Sequence, residues 1–272
     1  MPNMKTLGRR TSRLFAGLHD VGRTVFDTGT AAALMGVTRS QTAGLLHAAA
    51  KRGLVTRVRR GLYNLVPFEL GSATFHLAPR YTLVRESLGN IPYFFSHASA
   101  LDIHQLATQP GFDVYVTSPI RRKVINIGGS LLHSVWVPPK RIFGGQSLVL
   151  GDLRLSVSDI ERTLVDAVAI PAYCGGFGEV AKAFFMASRK VDSTKLIGYA
   201  RAYDKWSVLR RVGYLLEFFE LAPRKVLDDL AQSLPPGYSR LDPDLPKEGG
   251  NSSKWGLNLN VGREELIHLV SH

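Results

Sequence analysis

The sequence predicts an α+β protein, with an N-terminal winged helix-turn-helix over residues 1–67 followed by a larger mixed α+β domain over residues 68–272. Three observations predict it. Charge is uneven: residues 1–67 hold eleven Lys and Arg against two acids, Asp20 and Asp27, so +9 of the chain's +12 lies in its first quarter. The same segment carries helix-boundary signals followed by a basic hairpin. Beyond it, strand-like runs give way to a series of helical ones.

In the N-terminal module, Leu14, Phe15, Leu18 and Val21 recur at 3–4 spacing and make one apolar helical face over Thr11–Val21. Asp27 or Thr28 suits the N-cap of a short second helix, and Gly36 its C-terminal stop. Thr38 with Gln41 three residues on forms a capping box that opens a third helix, from Arg39 to about Arg52, with Gly53 as its end. On a helical wheel Ala43, Leu46, Ala49 and Ala50 cluster as the core face. Ser40, Gln41, Gly44, His47, Ala48 and Lys51 fall opposite. Two β-rich runs, 54–58 and 62–66, joined by Arg59-Arg60-Gly61, then read as a hairpin.

Small and polar residues at the start of an outward helix face suit entry into the major groove. An Arg-rich hairpin tip behind such a helix suits phosphate or the minor groove, although a solvated turn gives the same pattern. Double-stranded DNA is therefore the expected partner. The candidate contacts are Thr38, Arg39, Ser40, Gln41, Gly44, His47, Lys51 and Arg52 on the helix, with Arg57, Arg59 and Arg60 on the hairpin. Gly44 in mid-helix costs about 1 kcal/mol against Ala, which close approach to DNA, tight packing or plain tolerance would each explain.

Pro67–Ser72 reads as a linker. After it, strand patterns fall at 112–118, 124–127, 131–137 and 153–157, and helical ones at 159–169, 177–188, 193–203, 207–220 and 223–232. Ser158 and Glu161 suggest a second capping box. Residues 234–253 read as a loop, and Trp255–Asn260 as a late strand returning to the sheet.

Chemistry is sparse in this larger module. His97 and His104 share a helical face but lack a third ligand, so no metal site is expected. Asp159, Glu161 and Asp166 sit on one helix, where first-turn acids serve the helix dipole. The glycine doublets complete neither a Walker A nor a dinucleotide fingerprint, and no nucleophile motif is present. No catalytic residue and no cofactor are expected. Arg121-Arg122-Lys123 is a basic cluster for which nucleic-acid contact and a solvated turn stand about equal. One cysteine, Cys174, excludes an internal disulfide and fits a reducing cytosol. No apolar run approaches the roughly 18 residues that span a bilayer. Met1–Leu18 is Arg-rich and acid-free like a transit peptide, but it leads smoothly into the helical module.

Taken in order, several motifs resemble the AbiEi-type antitoxins of type IV toxin–antitoxin (abortive infection) systems. They are Lys51-Arg52-Gly53-Leu54-Val55, Arg59-Arg60-Gly61-Leu62-Tyr63, Ser96-His97-Ala98-Ser99-Ala100-Leu101, Ser158–Asp166, Tyr173–Val180, Arg211–Glu217 and Trp255–Asn260, and the resemblance as a whole covers roughly residues 20–262. The resemblance implies a bacterial, cytoplasmic transcriptional repressor that binds operator repeats upstream of its own operon. It also implies antitoxic activity, carried by the larger domain, against a nucleotidyltransferase toxin that the antitoxin need not touch. Two alternatives stay open: a stand-alone regulator without a toxin, responding to a ligand or partner, and a nucleic-acid-processing enzyme.

Overall fold

The computed structural model describes residues 7–109 and 111–271, with the side chains of 269–271 left aside. The first six residues of the acid-free N-terminal stretch, with Lys5, lie outside the described part. The fold is mixed α+β, as the sequence predicts, and divides into two compact units: residues 1–91 with 124–132, and residues 92–123 with 133–272.

In the first unit, α1 (Arg9–Asp20) is followed by β1 (Val25–Asp27), α2 (Thr28–Met35), α3 (Arg39–Lys51), β2 (Val55–Arg59) and β3 (Leu62–Leu65). The strands form a three-stranded antiparallel sheet in the order β1-β3-β2. Local chemistry sets the boundaries. Asp27 caps α2 by accepting from Thr30 N at 2.6 Å, and Gly36 ends it in the left-handed conformation at φ 66°. The Thr38–Gln41 capping box opens α3 with both reciprocal bonds present. Leu14, Leu18, Phe26, Ala31, Met35, Leu46, Ala49, Leu54, Val55 and Tyr63 form the core. One expectation fails here. Ala43 is exposed, and Thr42 is buried in its place. The Thr42 hydroxyl donates to Thr38 O at 2.9 Å, which satisfies it internally and lets its methyl pack.

The compact unit outruns the expected 1–67 module. Residues 73–79 are stitched onto the hairpin, His76 N donating to Thr56 Oγ1 at 2.9 Å and Ala78 N to the Asn64 side chain. Asn64 is fully buried, and its Nδ2 donates to Leu65 O at 2.7 Å. Next, α4 (Arg80–Leu88) buries Tyr81, Leu83, Val84 and Leu88 and packs beside β1. The hairpin at 124–132 completes the unit. A Cβ on its Gly128 (φ 61°) would crowd Leu83 of α4.

The second unit opens with β4 (Phe94–Phe95), α5 (His97–Ile103) and β5 (Val114–Ser118); β6 (Ile125–Ile127) and the first residues of β7 (Ser130–Trp136) belong to the 124–132 hairpin of the first unit. After these come β8 (Gly145–Leu150), β9 (Leu153–Ser158) and α6 (Ile160–Ala169). The sheet order is β6-β7-β5-β4-β9-β8, with β4 and β9 parallel. Four further helices follow: α7 (Phe177–Ala187), α8 (Ser193–Ala202), α9 (Trp206–Phe218) and α10 (Arg224–Gln232). Every residue of α6 from Glu161 to Val168 is buried, so this helix is the hub of the unit. The expected capping box at its start is not the one formed. Asp159 is the N-cap and accepts from Arg162 N at 2.8 Å. Ser158 belongs to β9, and its hydroxyl lies within hydrogen-bond distance of Phe95 O and Thr163 Oγ1.

The expected loop at 234–253 contains two short strands, β10 (Ser239–Arg240) and β11 (Gly250–Ser252). They flank β12 (Leu257–Leu259) in a separate three-stranded sheet, so the late strand does not rejoin the main one. Its anchor is Trp255, 1% exposed, whose ring lies against Gly213 of α9 and whose Nε1 donates to Glu217 Oε2 at 2.5 Å. Arg210 donates to the carbonyls of Gly237, Gly256 and Pro235, and Arg211 to those of Arg240 and Val168. Two late sequence motifs, around Arg211–Glu217 and Trp255–Asn260, are thus halves of one clamp. The chain closes with α11 (Arg263–Ser271).

Candidate nucleic-acid interface

The interface expected from the sequence lies in the first unit. Helix α3 leaves Arg39, Ser40, Gln41, Gly44, His47, Ala48 and Lys51 exposed, together with Ala43. A Cβ added at Gly44 would meet nothing within 4 Å. Packing inside the chain therefore does not account for this glycine. Leu46 and Ala49 on the opposite face bury the helix against the core, so the exposed stripe is held on a rigid element.

The candidate residues are not equivalent. Thr38 Oγ1 and the Gln41 side chain are engaged with each other: Gln41 Oε1 accepts from Thr38 N at 3.1 Å, and Gln41 N donates to Thr38 Oγ1 at 3.3 Å. Gln41 therefore keeps only its Nε2 donors for a ligand while the cap is closed. Ser40 carries no such commitment. The Arg39 guanidinium lies over Gly29 of α2, where an added Cβ would come within 3.2 Å of Nη2. Lys51 and Arg52 stand exposed at the end of α3.

The hairpin is short and braced. Gly61, at φ 79°, takes a backbone conformation that L side chains rarely adopt. Its carbonyl accepts from Thr28 N at 3.0 Å, which ties the turn to the start of α2. A register shift between Arg57 and Arg59 places the intervening Val58 in a bulge. Arg57 and Arg60 are exposed, with no partner among the described residues. Arg59 is half-buried and differs from both. Its Nε donates to Ser87 Oγ at 2.9 Å and its Nη2 to Ser87 O at 3.3 Å, while Nη1 reaches Arg60 O at 3.2 Å. The structure thus brings Ser40, Gly44, His47 and Lys51 onto one exposed helix face, and Arg57 and Arg60 onto the hairpin. It gives Arg59 a second job, as a tether to α4. Arg9, Arg10 and Arg13 of α1 are further exposed cations that the sequence-level residue choice passed over, although the charge count had included them.

Several buried or half-buried titratable groups of the second unit are engaged in structural contacts. Arg162, fully buried, pairs with Asp166 at 3.0 Å, donates to Arg141 O at 2.8 Å and lies 4.4 Å from the Phe143 ring centroid. Lys195 bridges Asp159 at 3.1 Å and Glu161 at 2.9 Å, and its pKa is raised, first by the Glu161 hydrogen bond. Burial works against the Glu161 carboxylate, yet the Asp192 backbone N–H and Lys195 hold its pKa below the usual value. His104 Nε2 sits 2.6 Å from Ser158 O. His97 is buried at φ 50°, with Nδ1 2.9 Å from Ser96 Oγ and no partner at Nε2. Burial lowers its pKa, Asp166 opposes the shift and Arg162 adds to it. His97 and His104 are held by separate partners, and no group of three or more His, Cys, Asp or Glu among the described residues is placed to hold a metal ion. Burial also pushes the Cys174 thiol well up, away from the reactive thiolate.

No protein-family model matches the chain, and no curated protein matches it by sequence. Among solved structures, the crystal structure of the Rv2827c protein from Mycobacterium tuberculosis is similar, with a TM-score of 0.74 over 98% of this chain and 96% of that one. The two are 14% identical in sequence. This is a likeness of fold along nearly the whole of both chains. No helix among the described residues is long and apolar enough to cross a membrane.

Proposed function

We propose that the first unit is a winged helix-turn-helix, with α3 as the recognition helix and β2–β3 as the wing, and that the protein represses its own operon by binding operator DNA. The observation that carries this reading is the exposed face of α3. Ser40, Gly44, His47 and Lys51 share it, Gly44 faces open space, and Arg57 and Arg60 are exposed on the hairpin of the same unit. A glycine that nothing inside the chain requires, on the exposed face of a basic module, fits close approach to a duplex. Its setting is a segment with two acids in 67 residues, where phosphate neutralisation supplies the bulk of affinity.

We further propose, on the family resemblance, that the protein is a bacterial cytoplasmic antitoxin of the AbiEi type, with the second unit acting against a nucleotidyltransferase toxin. The test uses the full chain. Gly44→Arg and a Ser40→Ala/Lys51→Gln double variant are compared with wild type for repression of the upstream promoter and for rescue of growth against the neighbouring toxin gene. Repression is expected to fail and rescue to persist. Repression that survives Gly44→Arg overturns the recognition helix. Rescue lost along with repression, in a variant that melts like wild type, overturns the division of labour.

A further inference from the structure

Strand β8 (Gly145–Leu150) ends the six-stranded sheet, and β9 is its only paired neighbour among the described residues. The usual guards of a sheet edge are missing from it. Gly144–Gly151 holds no charged residue and no proline, in a chain of net charge +12. Its pairing with β9 runs from Gly145↔Ser158 to Leu150↔Leu153 without a register shift, so no bulge turns the edge away. Val149 and Leu150 are 62% and 45% exposed. A flat, uncharged, apolar edge of this kind is a template for another strand.

The direction of its backbone follows from one bond. Asp159 N donates to Gly144 O at 2.7 Å, so the Gly144 carbonyl faces β9. Alternation along the antiparallel ladder then turns the N–H and C=O of Gln146, Leu148 and Leu150 toward β9, and those of Gly145, Ser147 and Val149 outward. These last three also share one side-chain face. At its Gly145 end that face borders a hollow walled by Tyr93, Phe94, Ile142 and Phe143, and an added Cβ at Gly145 would lie 3.2 Å from the Phe94 ring. The strand is thus bare beside an apolar hollow at one end, and bulky and uncovered at the other. Antiparallel pairing of β8 with itself, about a twofold axis at Ser147, sets Ser147 against Ser147 and Val149 against Gly145 of the second copy. All three outward residues then meet residues whose own backbone groups point outward. Each Val149 comes to the mouth of the other copy's hollow, and no charge opposes a like charge along the strand.

We propose that β8 is a homodimerisation strand: two copies of this chain pair antiparallel through Gly145–Leu150, with the twofold axis at Ser147, and join their sheets edge to edge. The match between the two ends of one strand favours a second copy over a foreign strand, and twofold pairing uses up both open edges at once. Pairing of this kind needs no DNA.

The test is sedimentation velocity of the full chain, without DNA, over a concentration series. Wild type should approach twice the monomer mass as concentration rises. Val149→Lys brings an unpaired charge to each hollow and should weaken self-association about tenfold or more. Val149 is exposed in the single chain, so this variant should keep the circular dichroism spectrum of wild type. Ser147→Cys brings two thiols together across the axis and, on mild oxidation, should give a covalent dimer on a non-reducing gel. Cys174 is buried, so wild type should give none. Arg154→Cys, exposed on β9 one strand in from the edge, is the control and should crosslink far more slowly. Wild type that stays monomeric at every concentration overturns the inference. So does a dimer that survives Val149→Lys, or a Ser147→Cys variant that crosslinks no faster than Arg154→Cys.

Discussion

Arg59 and Ser87 join the basic hairpin to α4: the guanidinium donates to both the hydroxyl and the carbonyl of that one serine, at 2.9 and 3.3 Å. The neighbouring Arg57 and Arg60 have no such partner among the described residues. Three arginines that look alike in sequence therefore separate into a strut and two open charges. Arg59→Gln should destabilise the first unit by about 1.5 kcal/mol or more, the worth of charge-assisted hydrogen bonds. Arg60→Gln should leave stability within about 0.5 kcal/mol and lower the salt slope of DNA binding by about one. Urea melts beside anisotropy titrations separate the two outcomes, and equal stability of both variants would remove the strut.

Gly44 offers a second separation. With no atom within 4 Å of an added Cβ, Gly44→Ala should stabilise α3 by up to about 1 kcal/mol through helix propensity alone. Gly44→Arg should fold as well as wild type and lose operator binding. A thermal melt and a gel shift on both variants check this. Destabilisation by Ala would mean that the face is packed.

Gly213 is the opposite case. Its Cβ position is filled by the Trp255 ring, so Gly213→Ala should cost about 1–3 kcal/mol or more through overpacking. Gly198 of α8, with nothing within 4 Å, is the control, and Gly198→Ala should gain up to about 1 kcal/mol. Chemical denaturation of the pair reads the difference directly.

Arg162 and Asp166 form a buried ion pair in the hub helix. Arg162→Met leaves Asp166 uncompensated and should cost about 3–5 kcal/mol, whereas Arg162→Met with Asp166→Leu should recover much of that loss. A double-mutant cycle measured by denaturant unfolding tests the coupling.

His97 should make stability depend on pH. Its folded pKa is lowered by burial, against about 6.5 when unfolded. The unfolded chain then binds the extra proton first, so stability falls as pH drops below about 6.5 and levels off once pH passes below the folded pKa. Above about 6.5 both states are neutral and the residue contributes no slope. His97→Asn tolerates the positive φ and should flatten the loss of melting temperature between about pH 6.5 and 5. An identical pH profile in the variant would assign the slope to other groups.

What could be read in the sequence was what is local. The Thr38–Gln41 box was legible because both bonds close within four residues. The same pattern at Ser158–Glu161 misled, because Ser158 faces Phe95 across the sheet and Glu161 reaches Asp192 and Lys195. These partners lie more than thirty residues away in the chain, so spacing carries no trace of them. Helical periodicity placed the exposed face of α3 correctly, apart from Ala43. There the rule that alanine is more apolar than threonine ignored a hydroxyl that bonds back to Thr38. β1 escaped notice because three residues are too few for an alternation, and the role of Arg59 depends on a helix twenty residues further on. The clamp of Arg210, Arg211 and Gly213 on Trp255 was visible only as two separate motifs.

The first unit takes its last piece, residues 124–132, from beyond β4, α5 and β5 of the second. A gene fusion or recombination event with one breakpoint can move residues 1–91, but it leaves that hairpin behind. A breakpoint after residue 132 carries the hairpin and severs β7, which runs from Ser130 to Trp136. No single cut transfers either unit whole. Exchange of one contiguous N-terminal segment would therefore split one of the two units, so this architecture favours change by substitution within each unit over wholesale swapping of either.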